Sequence, residues 1–420
     1  MIKKVLIVGG GFAGLKIAKK LSKKKEFEVI LLDKNNYHFF PPLLYQVGTA
    51  FIESSNISYP FRKMFHNQQI EFKMGSLLSI DQTGRNAVSD CGIISYDLLI
   101  LAMGTETNFF GNDQLKEHTL PLKTIDDAIE MRNHILLKME EAVRTDNPQE
   151  RAKLTNIVIA GGGPTGVELA GMLAEMGRNI TTKDYPTLDP HQGNIFLIDA
   201  QHTLLAPMSV KSQREAIKVL KNLGVNIMLG ELVKSYDGEN VILANDTIIP
   251  SKTLIWASGV IARYVPGLPE SSYGPGRRIL VNEINLVEGT ENIYCLGDQC
   301  IQMHDPEFPK GHPQVAQVAL QQASQLYKNI CQENQGSQTK AFKYFNKGSM
   351  AIIAKFHAVV DMRKAFMKGP LAWLTWLFIH IIPIAGYRNK AKLTFNWLWS
   401  FLTNDPTLRL IIRPKKEDRN

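Results

Sequence analysis

The chain has 420 residues, 44% of them hydrophobic and 21% charged, a globular composition too long for one average core and expected to form two or three domains. Four cysteines in that length exclude a disulfide scaffold and favour a reducing compartment. The formal charge is +8, yet from Lys340 onward 15 Lys and Arg stand against Asp361, Asp405, Glu417 and Asp418, a balance of +11 that leaves −3 for residues 1 to 339. The basic character belongs to the end of the chain.

The first predicted element is a buried parallel strand, Val5 to Val8, entered so soon after Met1 that an export signal is not expected. It runs into Gly9-x-Gly11-x-x-Gly14 and a helical pattern, the order a dinucleotide fingerprint requires. Gly9 allows the tight turn, Gly11 admits a pyrophosphate, and Gly14 lets the helix lie against the strand, with the helix N-terminus facing the phosphates. A second apolar run, Phe27 to Leu32, ends in Asp33, where a carboxylate can accept both ribose hydroxyls.

Asn35 to Ala50, NNYHFFPPLLYQVGTA, carries a proline pair and aromatics that argue against a regular element; it is expected as a loop, either on the surface or across a bound cofactor. Asp97 to Gly104 reads as a buried strand returning to the first sheet, and residues 124 to 145 as a solvated connecting helix. The opening pattern then recurs. A strand at Asn156 to Ala160 leads to Gly161-x-Gly163-x-x-Gly166, a helix at Val167 to Met176, and a strand at Ile195 to Ile198 ending in Asp199, with Thr181 to Asn194 an inserted loop. Two dinucleotide sites follow, and both acids would repel a 2′-phosphate, which favours NADH over NADPH. Further on, Asn292 to Asp298 is a short strand ending in Gly-Asp, where the aspartate can meet a ribityl hydroxyl or close a plain turn.

The tail holds four of the five tryptophans, Trp373, Trp376, Trp397 and Trp399. Leu371 to Ile384 is apolar on almost every face but shorter than the roughly 20 residues a bilayer span takes, and Pro383 and Gly386 break it before a second segment, Leu393 to Leu402. Tryptophan flanked by Lys and Arg is the composition of a membrane interface, with a homodimer interface as the alternative; nucleic acid would not call for such an apolar load. No HExxH, no Gly-x-Ser-x-Gly and no spaced Cys/His cluster is present, so neither a metal site nor a protein nucleophile is expected.

Two glycine fingerprints with a late Gly297-Asp298 resemble the glutathione-reductase-like flavoproteins. Within that group the chain looks like a type II NADH dehydrogenase, the single-subunit NADH:quinone oxidoreductase, through His38 to Val47, Gly161 to Ala174, Ala316 to Gln322 and Trp373 to Leu402. The resemblance implies an α/β fold with two Rossmann-like dinucleotide-binding domains and a C-terminal membrane-associating helical segment. Residues 1–115 and 256–340 would form the FAD-binding domain, 116–255 the NADH-binding domain, and 341–420 the membrane-anchoring region. FAD would be held by Gly9, Gly11, Gly14, Asp33, Lys34 and Asp298, and NADH by Gly161, Gly163, Gly166 and Asp199. Glu168 matches an acid beside nicotinamide and flavin, although an acid in a first helical turn is also stabilised simply by the dipole. Gln46, Gln317 and Gln321 match positions near the quinone.

The implied reaction is hydride transfer from NADH to FAD, then electron transfer to a membrane quinone without proton pumping, by a peripheral protein on the cytoplasmic face of the cell membrane. Two rival readings are a soluble flavin reductase for a disulfide or protein acceptor and a dinucleotide-sensing docking protein. Cys295 and Cys300 have Cys-x4-Cys spacing but stand far from the early segment where disulfide reductases carry their pair, and are expected to be buried or incidental thiols.

Overall fold

The computed structural model describes residues 2–178, 182–188, 193–403 and 409–411. Part of the expected inserted loop 181–194 and the last basic residues, among them Arg413, Lys415, Lys416 and Arg419, lie outside these. In chain order the elements that matter are β1 (Lys3–Val8), α1 (Phe12–Leu21), β2 (Phe27–Asp33), α2 (Leu44–Gly48), β3 (Ile70–Met74), β4 (Leu98–Leu101) and α3 (Ile125–Arg144). There follow β5 (Ile157–Ala160), α4 (Pro164–Met176), β6 (Ile195–Asp199), β7 (Asn226–Leu229), β8 (Leu254–Trp256), β9 (Ile293–Cys295) and α5 (Ala316–Asn334). The chain closes with β10 (Ser349–Ala354), β11 (His357–Met362), β12 (Ala365–Lys368), α6 (Gly369–Ile381) and α7 (Tyr387–Thr403).

Two compact units result. The first comprises Met1–Phe39, Tyr59–Glu106 and Val260–Lys347; the second comprises Phe40–Ser58, Thr107–Gly259 and Gly348–Asn420. The segment 40–58, which lies within the stretch 1–115, packs with the second unit, and so do the final strands and helices.

The first unit is organised on a parallel sheet of order β9-β4-β1-β2-β3. Val5, Leu6 and Ile7 of β1 are wholly buried because both faces are covered, which is why the strand reads as an unbroken apolar run. On one face Ile17, Ala18 and Leu21 of α1 pack with Ala319, Ala323 and Leu326 of α5. Each of the Ile and Leu side chains contributes about 1.5–3 kcal/mol by leaving water.

The second unit repeats the plan with Leu120–Pro121, β8, β5, β6 and β7, again all parallel. Here α2 and α3 depart from the sequence reading. Pro41 and Pro42 do not prevent regular structure: they open a 3-10 turn, Pro41–Leu43, because proline's fixed φ suits a first helical turn, and α2 follows with all five residues buried. α3 is not solvated all round. Thr124 and Asp127 form its capping box, and Ile125, Ala128, Met131, Ile135 and Leu136 make a buried stripe.

The region from 341 onward is not helical alone. β10, β11 and β12 form an antiparallel meander before α6 and α7. Trp376, Leu393 and Trp397 are buried within the second unit, while the opposite faces of both helices are exposed. Among the described residues no helix is long and apolar enough to cross a membrane.

Candidate functional site

At the C-terminal edge of the first sheet the Gly9 loop joins β1 to α1. Gly9 has φ +101°, and a Cβ there would run into the Ala102 carbonyl, so only glycine fits. A Cβ on Gly11 would meet nothing within 4 Å, and the first N–H groups of α1 receive no bond from an N-cap side chain. Asp33 holds the loop: Oδ2 accepts the Gly10 N–H at 2.5 Å and Oδ1 the Asn35 N–H at 2.8 Å. Burial pushes its pKa up, against those hydrogen bonds and the cations Lys34 and Arg263.

Lys34 is exposed. Asp298 lies in the turn after β9, on the same sheet edge; Gln314 donates to its carbonyl at 2.8 Å, and the Gly297 N–H donates to Gln322 Oε1 at 2.7 Å. Gln322, buried on α5, is a contributor the sequence reading missed. An open, uncapped helix start with a carboxylate at the next strand end fits the pyrophosphate and ribose of a dinucleotide.

The second cradle is built in the same way. Gly161 has φ +121° and lies so close to the Ala257 carbonyl that a Cβ would not fit; Gly163 faces open space at the uncapped start of α4. Asp199 accepts the N–H of Gly162 and, at 2.6 Å, that of Gln201. Two acids, 166 residues apart in sequence, thus do one local job twice.

In the second unit α4 also carries Glu168 into the interior. Gly171 makes this contact close, since a Cβ there would collide with the Ile353 carbonyl of β10. The Ile352 N–H donates to Glu168 Oε1 at 3.4 Å. Glu168 is buried, and burial raises its pKa well above the carboxylate range despite that bond. It lines a cavity of about 60 Å³ together with Gln46, Glu175, Lys355, Trp373 and Phe401.

Gln46 is held firmly. Its Oε1 accepts the Trp397 indole N–H at 2.8 Å, and its Nε2 donates to the buried Tyr45 hydroxyl at 3.0 Å. The Tyr45 pKa is pushed well up, first by burial and then by the Glu168 charge. Trp397 ties α7 directly to this wall. The structure therefore brings Gln46 and Glu168 to one cavity and adds Tyr45, Glu175, Trp373 and Trp397, which the sequence reading did not single out as site residues.

Gln317 and Gln321 lie on α5 in the first unit. Gln317 Oε1 accepts from the Lys347 N–H at 3.2 Å and the Tyr344 hydroxyl at 3.4 Å. Gln321 donates to the Phe345 carbonyl at 2.9 Å and accepts its N–H at 3.0 Å, so both amides grip the segment 344–347. Cys295 and Cys300 are free thiols buried in the first unit's core.

Comparison with known proteins gives the same assignment. Residues 3–323 match the family model described as pyridine nucleotide-disulphide oxidoreductase. Two type II NADH:quinone oxidoreductases of Mycobacterium tuberculosis are 34% identical over 417 residues and 33% identical over 418, covering 95% of this chain in each case and 88% and 87% of the relatives. In fold the chain matches the NDH2 of Plasmodium falciparum solved in complex with NADH, with a TM-score of 0.88 at 19% identity, over 98% of this chain and 100% of that one. The chain belongs to the pyridine nucleotide-disulphide oxidoreductase family, in its type II NADH:quinone oxidoreductase branch.

Proposed function

We infer that this chain is a non-proton-pumping NADH:quinone oxidoreductase that uses FAD and works at the cytoplasmic face of the cell membrane as a peripheral protein. The observation that carries the reading is the pair of equivalent cradles, one per unit, each with an open helix start and an aspartate fixing the glycine loop. In the first, Gly9, Gly11, Gly14, Asp33, Lys34 and Asp298 are the residues to hold FAD. In the second, Gly161, Gly163, Gly166 and Asp199 hold NADH, and Asp199 selects against a 2′-phosphate. When bound, FAD supplies an acceptor that takes hydride and returns the electrons to a quinone.

The protein's own part is to bind, orient and keep water away. Glu168 presents a buried carboxyl whose proton affinity burial raises, a donor for a quinone oxygen. Gln46 is an amide on the wall of the same cavity, and Gln317 and Gln321, matched to positions near the quinone, hold the segment 344–347. The exposed faces of α6 and α7 rest on the lipid surface, the source of the quinone. A disulfide acceptor would need a reachable thiol pair, whereas Cys295 and Cys300 are buried.

The purified protein is expected to be yellow, to bleach with NADH and to regain its colour on addition of a quinone analogue. A colourless protein, or an oxidised spectrum that persists under excess NADH, would refute the reading.

A further inference from the structure

Quinone reduction by NADH takes one proton from solvent. The balance is NADH + H⁺ + quinone giving NAD⁺ + quinol, with the hydride supplying both electrons and one of the two protons. α4 sets two carboxyls on one face: Glu168 and, seven residues later, Glu175, roughly 10 Å further along an axis that rises about 1.5 Å per residue. Both line the same cavity. Glu168 is buried and Glu175 half-buried, so Glu175 is the one in reach of solvent. The Lys355 N–H fixes Glu175 Oε1 at 2.8 Å.

The cavity that both acids line also carries polar side chains for water to meet. At about 60 Å³ the cavity has room for water. Thr49 and Ser400 give its wall hydroxyls. Trp373, buried on the same wall, has an indole N–H with no hydrogen-bond partner among the described residues. A buried donor left unmatched is costly, so an acceptor oxygen is expected beside it.

We propose that Glu175 is the entry group of a proton relay, passing solvent protons through water held in this cavity to Glu168, which delivers them to the quinone oxygen. The proposal rests on the reading of Glu168 as the donor at the reacting centre. In each turnover the Glu168 O–H bond breaks as the quinone oxygen takes the proton. The carboxylate so formed takes a proton from the adjacent water, the water is reprotonated by Glu175, and Glu175 by solvent. The cations facing Glu175 are Lys355, whose ammonium donates to the Phe401 carbonyl at 2.7 Å, and Arg178; both lower its proton affinity, while burial raises it by more. Tyr45 is the titratable group on α2 that senses both acids.

The test uses the holoenzyme reduced by NADH and reoxidised by a soluble quinone analogue in a stopped-flow cell. Glu175→Gln is expected to slow reoxidation about tenfold and to enlarge the D₂O effect, with FAD content and bleaching by NADH retained; Glu175→Asp is expected to restore most of the rate. A second readout is independent of turnover. Hydrogen–deuterium exchange of the protonated Glu168 carboxyl, followed by its infrared carbonyl stretch, is expected to slow in Glu175→Gln.

Unchanged reoxidation and unchanged exchange in Glu175→Gln would overturn the relay. Glu168→Gln separates the two ideas. If it slows reoxidation while Glu175→Gln does not, the relay alone fails; if Glu168→Gln has no effect, the donor reading falls and the relay with it.

Discussion

Glu168 is an acid whose ordinary charged state the fold disfavours. Its pKa is raised by burial, so at low pH folded and unfolded chains both hold the proton and the acid costs nothing. As pH rises above the unfolded value, the unfolded chain ionises while the folded one does not, and stability falls by about 1.4 kcal/mol per pH unit until the folded carboxyl also ionises. Denaturant unfolding across that range should show a downward slope for the native chain that is reduced in Glu168→Gln; equal slopes would contradict a buried, protonated Glu168.

At this scale legibility depends on how local the cause is. Asp33 and Asp199 could be placed from sequence because a strand end and its glycine loop are neighbours along the chain. Glu175 could not, since an acid seven residues beyond Glu168 looks like any solvated helix residue until β10 packs on α4.

Among the elements, α6 and α7 are amphipathic in an uncommon sense: the inner face is part of the second unit's core and the outer face is bare. Their tryptophans and short apolar runs were visible in sequence, but the meander of β10, β11 and β12 before them was not, because short runs such as Ala351 to Ala354 suit a strand or a buried helix equally. His380 shows how dry the inner side is. Its ring stacks on Trp376 with centroids 3.8 Å apart and bonds to the Trp376 carbonyl at 2.8 Å, and burial lowers its pKa to about 4.

A lowered histidine pKa gives stability that is present above the unfolded value near 6.5 and lost as pH falls toward 4. Acidification over that interval is therefore expected to loosen α6, seen as a change in tryptophan emission. His380→Phe should remove that pH response; if the variant responds as the native chain does, His380 is not the group concerned.

Taken as a whole, the chain is one architectural plan used twice, and the repeat was legible because each copy carries its own strand, glycine turn and terminal acid. The excursion of residues 40–58 into the second unit was not legible, since nothing in that stretch names its distant partners. The charge plan is also a property of the entire molecule, with −3 up to residue 339 and +11 thereafter. Exposed Leu374, Phe378 and Leu398 lie on the tail helices with Arg388, Lys390 and Lys392 nearby in sequence.

Binding to vesicles containing anionic lipid is expected to weaken as salt shortens the screening length to about 8 Å near 0.15 M, yet to persist through apolar contact. Leu374→Glu with Phe378→Glu should abolish the persistent part without loss of bound nucleotide. Flotation that is indifferent to both salt and these substitutions would count against the lipid-facing assignment.

The indole of Trp397 holding Gln46 has a practical consequence for handling the protein. A detergent that lifts α7 from its seat would let that amide swing out of line, so a preparation would keep its fold and still turn over poorly. If α7 rests on lipid, added phospholipid is expected to reseat the helix and bring back turnover with no change in secondary structure.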